Sequence, residues 1–122
     1  MDNQEYKRKL INRAYRFSLE MMKFLDLLPK KDFSAETVAK QVIRSATSIG
    51  ANIVEAQASS SKKDFANFIR HALKSANETR YWIGLLRDSG KANKEQSERL
   101  LQEAKELSNL LAASVLSLKK KN

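Results

Sequence analysis

Cysteine is absent from these 122 residues, which excludes disulfides, thiolate nucleophiles and cysteine-ligated metal centres. Histidine occurs once, as His71, and that removes most histidine metal sites. Three glycines and one proline are too few for the turns of a sheet protein this long, whereas a few long helices need no more. The glycines do not cluster, so there is no glycine-rich phosphate loop. No apolar run approaches the ~20 residues of a membrane span. The opening Met1-Asp2-Asn3-Gln4-Glu5 has neither the basic start nor the apolar core of an export signal, so a cytoplasmic location is the default expectation.

What is present is basic and helix-forming. Hydrophobic residues at 42% and charged residues at 30% predict one soluble globular domain over residues 1–122, with one modest core. Lys and Arg number 23 against 14 acids, a net charge of +9. The excess is uneven: +4 over residues 1–31, −1 over 32–61, +3 over 62–90 and +3 over 91–122. Such a balance speaks of partners and association, not of fold.

Four helical periodicities divide the chain. Leu10, Ala14, Phe17, Met21, Phe24 and Leu28 recur at spacings of four and three, predicting a helix over about 5–28 that Pro29 ends. Val38, Val42, Ala46, Ile49, Ile53 and Ala56 predict a second over about 34–58, capped by Ser34 or by Asp32. Gly50 inside it costs about 1 kcal/mol relative to alanine, and points either to a close neighbouring helix or to a kink. Phe65, Phe68, Ala72, Ala76, Thr79, Ile83 and Leu86 predict a third over about 62–88, with Ser61 as N-cap, Asp64 at N3 and Gly90 suited to the left-handed C-terminal position. Leu100, Ala104, Leu107, Leu111, Val115 and Leu118 predict a fourth over about 93–118. Lys119, Lys120 and Lys121 follow, either complementing the negative helix end or offering a basic tail to nucleic acid. Four rods of about 37 Å joined by short links predict an all-α fold, an antiparallel up-down four-helix bundle. Apolar edges beyond the four stripes, among them Tyr6, Tyr15, Tyr81 and Trp82, favour an oligomer.

Two groups of residues are candidates for function. Arg44, Ser48, Asn52 and Glu55 are spaced by four, four and three, a polar stripe beside the apolar face of the second helix. It reads either as a site or as a network that fixes helix register. Glu55 and Glu78 are the carboxylates best placed to approach each other. A di-iron site needs Glu-x-x-His pairs, and His71 has no acid three or four residues before it, so no metal, cofactor or catalytic residue is expected. The second group is basic: Lys7, Arg8, Lys9, Arg13 and Arg16 on the first helix, with Lys62, Lys63, Arg70 and Lys74 on the third. Such patches attract RNA or DNA phosphates through a salt-dependent term that carries no sequence code. The competing reading is a protein-interaction or scaffold bundle with an ordinary solvated surface.

The run Gln41-Val42-Ile43-Arg44-Ser45-Ala46, followed by Ser48-Ile49-Gly50-Ala51-Asn52-Ile53-Val54-Glu55-Ala56, resembles the signature of the 23S rRNA-intervening sequence (S23) family. The set Phe65, Phe68, Ile69, Ala72, Ser75 and Glu78 is similar to that family's next block. Gly50 stands where the family has proline, and Ala56 where it has glycine. The resemblance implies a bacterial up-down four-helix bundle that assembles as a homo-oligomer, a ring of five. It also implies relatives encoded within intervening sequences of 23S rRNA genes, and a distant tie to the basic pentameric accessory protein of diversity-generating retroelements, which works with a reverse transcriptase. The family's molecular function is unsettled. Arg44, Ser48, Asn52, Glu55 and Glu78 match its pattern, and no catalytic role attaches to them.

Overall fold

Leu10, Ala14, Phe17, Met21 and Phe24 line the buried side of α1 (Asn3–Asp26), as their spacing requires. The structure, a computed structural model, describes residues 3–120, with Lys120 described by its backbone alone. Lys121 of the basic tail lies outside the described residues. Three more helices follow: α2 (Phe33–Gln57), α3 (Lys62–Asp88) and α4 (Lys94–Lys120). Their apolar stripes close on one core, in which Phe17, Met21, Ile49, Ile53, Ile83, Leu107 and Leu111 are almost wholly buried. Short links fold each helix back beside the one before it, and the antiparallel sense is recorded between α2 and α3, where Arg44 meets Glu78 and Ser48 meets Ser75. The helices therefore alternate up and down. α1 and α3 occupy one diagonal of the bundle, α2 and α4 the other, and the α1–α4 seam is the loosest of the four.

The first link departs slightly from expectation. α1 ends at Asp26, two residues before its apolar stripe does. The Leu27 and Leu28 amides donate to the carbonyls of Phe24 and Leu25 at 3.2 Å, a tightened last turn in front of Pro29. Leu28 is still buried, so the stripe outlasts the helix. Asp32, not Ser34, caps α2: its carboxylate accepts the Ala35 amide at 3.0 Å, and the Ser34 hydroxyl donates to that same carboxylate at 3.2 Å. Lys91, from the α3–α4 link, also reaches Asp32, at 2.6 Å. The Lys91 ammonium first, and then the Ala35 amide, hold the Asp32 carboxyl below its ordinary range. One acid thus caps a helix and ties together two links at the same end of the bundle.

The other caps follow the sequence. Ser61 accepts the Asp64 amide at 3.1 Å, while Ser60 donates to the Asp64 carboxylate at 2.8 Å. Gly90 takes φ +77°, and Lys91 and Gly90 donate their amides to the Leu86 and Arg87 carbonyls at 3.1 Å. That is a Schellman closure, which favours glycine because a Cβ is strained at such a φ. Asn93 caps α4, accepting the Gln96 amide at 2.8 Å.

Gly50 resolves in favour of close approach. α2 is unbroken across it, and a Cβ at this position would stand 3.5 Å from the Ala14 Cβ of α1. That is ordinary contact, so the helices sit close without requiring a glycine. Gly50→Ala is expected to raise stability by about 0.5–1 kcal/mol through helix propensity, read from the urea midpoint at unchanged m. A lowered midpoint would mean that the α1–α2 gap cannot admit a methyl group.

Candidate functional site

The polar stripe of α2 faces α3 and becomes a seam between the two helices. At one end Arg44 pairs with Glu78 and also donates to Gln41 at 3.2–3.3 Å. Trp82, one turn beyond Glu78, donates its indole N–H to the same carboxylate at 2.9 Å. In the middle the Ser48 and Ser75 hydroxyls are 3.0 Å apart, and Asn52 donates to the Ser48 carbonyl and hydroxyl at 2.8 and 2.9 Å. Beneath them, fully buried, Ser45 and Thr79 share a 2.8 Å hydrogen bond, and Thr79 lies 2.7 Å from the Ser75 carbonyl. Among the described residues no buried side-chain polar atom is left without a partner. A satisfied network of this kind pins the register of α2 against α3.

Glu55 does not join it. Its side chain is exposed and has no partner among the described residues. The expected approach of Glu55 to Glu78 does not occur. Glu78 sits opposite Arg44, and eleven residues separate Arg44 from Glu55, about 16 Å along a helix. Antiparallel register carries the two carboxylates to different levels of the bundle. His71 is exposed, and among the described residues no group of three or more His, Cys, Asp or Glu could hold a metal ion.

Ser45, Ser75, Thr79, Gln41 and Trp82 belong to the seam and were not expected in it. Thr79 falls on the apolar stripe of α3 and is buried there, but it carries a hydroxyl that needs a partner. Thr79→Val is expected to cost about 1 kcal/mol, and Ser45→Ala with Thr79→Val less than the sum of the singles, because the double change removes both ends of one bond. Additive losses in a double-mutant cycle would mean that the two hydroxyls do not act together.

The basic candidates divide according to what holds them. Arg13 is half-buried and spent on structure: it donates to Glu103 at 2.7 and 2.8 Å and to Glu106 at 2.5 Å. Glu103 first, against the cost of burial, and then Glu106 raise its pKa above the ordinary arginine value. Gln102 and then Arg13 hold the Glu106 carboxyl low. Lys9 stands 3.6 Å from Glu5, Lys7 lies 5.2 Å from the centre of the Phe65 ring, and Arg70 donates to Asn67 at 3.3 Å. Arg8, Arg16, Lys62, Lys63 and Lys74 are exposed and unpaired among the described residues.

Sequence reasoning missed Lys23 and Arg99. Lys9, Arg13, Arg16, Glu20 and Lys23 recur at four, three, four and three along α1, and Arg99, Glu103 and Glu106 at four and three along α4. Both runs face the loose α1–α4 seam, where a furrow of about 950 Å³ opens between the helices. Phe17, Phe24 and Leu100 lie at its base, each at least nine-tenths buried.

Comparison with known proteins gives the family. The profile of the 23S rRNA-intervening sequence protein family matches residues 7–113. The chain belongs to that family. The matched span takes in every residue of the α2–α3 seam and every basic candidate on α1 and α3. A solved S23-family structure, from Bacteroides thetaiotaomicron and described as a protein of unknown function, is 35% identical, with a TM-score of 0.80 over 87% of this chain and 97% of that one. No curated protein matches at comparable significance. The S23-type bundle expected from Gln41–Ala56 is therefore the fold observed, and no helix among the described residues is long and apolar enough to cross a membrane.

Proposed function

We propose that this family member is a non-enzymatic homo-oligomeric bundle that binds RNA or DNA through its basic surface. One observation carries the reading: after ion pairing, Arg8, Arg16, Lys62, Lys63 and Lys74 still stand exposed and unmatched on a chain of net charge +9. In a ring of five that charge becomes about +45, and electrostatic attraction to phosphates grows with it.

Two apolar strips support self-association. Tyr15, Leu19 and Met22 are 66%, 45% and 51% exposed and share one strip of α1. Tyr81 and Leu85, 62% and 40% exposed, share one strip of α3. α1 and α3 are diagonal partners, so the strips point to opposite sides of the bundle. A closed ring is built head-to-tail from two different surfaces, whereas a two-fold dimer needs one surface that fits itself. The diagonal placement suits a ring.

The rival reading, a scaffold with no nucleic-acid role, would give the same exposed aromatics to a protein partner. A gel-shift titration separates the two. Complexes with RNA or DNA at ~50 mM salt that dissolve by ~300 mM are the expected result. Absence of any complex at the lower salt returns the chain to the scaffold reading.

A further inference from the structure

The basic surface is not uniform, and three of its free cations gather where two helices part. Arg16 and Lys23 of α1 and Arg99 of α4 rim the α1–α4 furrow, and all three are exposed and unpaired among the described residues. We infer that this furrow is where a nucleic-acid backbone lies, its phosphates held by Arg16, Lys23 and Arg99. This rests on the nucleic-acid reading above and assigns that reading a location.

Three features support the location. The first is charge. Glu103 is the acid that α4 brings to the furrow, and it is already bound by Arg13, as is Glu106 one turn on, so the α4 wall presents little free negative charge. Glu20 is then the one lining acid with no partner, against three free cations. The second is shape. Helices that part leave a trough along their length, and from Lys9 to Lys23 it runs about 21 Å at 1.5 Å per residue, room for several phosphates in a row. By contrast Lys63 and Lys74 of α3 line no trough, and Lys62 borders a smaller one of about 720 Å³ whose other cation, Lys7, already lies over the Phe65 ring. The third is the base of the trough. Phe17 and Phe24 are 1% and 5% exposed, which leaves no ring face on which a base could stack. Binding there reads the backbone and not the sequence.

The test removes the same charge from two places. Arg16→Gln with Lys23→Gln and Arg99→Gln empties the furrow, and Lys62→Gln with Lys63→Gln and Lys74→Gln takes three charges from α3. All six side chains are exposed, so both variants should keep the wild-type melting temperature within a few degrees. Fluorescence anisotropy reads their binding to labelled single-stranded RNA, single-stranded DNA and duplex DNA, with a poly-glutamate peptide as a further probe. The furrow variant is expected to lose at least about tenfold in affinity at ~100 mM salt, and its plot of log Kobs against log salt to flatten by about 2–3. The α3 variant should lose less than about threefold. Equal losses, or a larger loss in the α3 variant, overturn the furrow while leaving the nucleic-acid reading standing. A wild-type protein that binds poly-glutamate and none of the nucleic acids overturns both, and makes the furrow a seat for an acidic protein segment. Among the nucleic acids, the one bound most tightly identifies the source of the backbone.

Discussion

Replacing Phe17 with alanine is expected to destabilise the bundle by about 3–5 kcal/mol, enough to leave up to about half of the molecules unfolded if the total is near the low end of the usual 5–15. Phe17 is 1% exposed and lies at the base of the furrow between α1 and α4, the loosest of the four seams. Its ring fills space that a slender seam cannot close by collapsing, so the truncation leaves a void open to water. Tyr15→Ala, two residues away, removes a side chain that is 66% exposed, and should change the stability of an isolated subunit by no more than about 0.5 kcal/mol. Urea unfolding of both variants provides the comparison. Similar losses for the two would mean that Phe17 does not seal the seam.

The second large effect concerns assembly. Tyr15→Glu with Met22→Glu puts charge on the α1 strip, and Tyr81→Glu with Leu85→Glu puts charge on the α3 strip. If the subunits join head-to-tail, every contact uses one strip of each kind, and either variant alone should fall to the 13.9 kDa monomer. Mixed in equal amounts, the two retain one intact pair of complementary strips. Light scattering should then report a heterodimer of about 28 kDa, against about 70 kDa for a wild-type ring of five. If the variant altered on α3 keeps the wild-type mass, α1 meets α1, and the head-to-tail account fails.

The fold was largely legible because helix periodicity is local. Leu10 to Phe24 share a face within one helix, and Ser61 and Gly90 act within three residues of themselves. Asp32 and Ser34 could not be told apart beforehand, because both are good capping residues, and the Lys91 that adds its ion pair to Asp32 comes from a distant link. The end of α1 was placed two residues late because Leu28 remains buried after the helix has stopped. What periodicity does not carry is which faces meet. Arg13 looked like one more free cation, and its partners Glu103 and Glu106 lie on the last helix. Thr79 looked apolar because it is buried, and its hydroxyl partner Ser45 belongs to another helix. Glu55 fits the spacing of the stripe, yet the register of α3 leaves nothing opposite for it to bind. The furrow exists only once α1 and α4 are set side by side, so Lys23 and Arg99 gained meaning from the assembled bundle.

The salt dependence of binding tests the central claim most directly. Fluorescence anisotropy of the wild-type protein with one labelled RNA and one labelled DNA, titrated at four salt concentrations, yields log Kobs against log salt. Three or more phosphates engaged by Arg16, Lys23, Arg99 and their neighbours predict a straight line with a slope of about −2 to −3 or steeper. No binding at the lowest salt, or a Kobs indifferent to salt, would contradict the claim that the surplus charge of this bundle exists to hold nucleic acid.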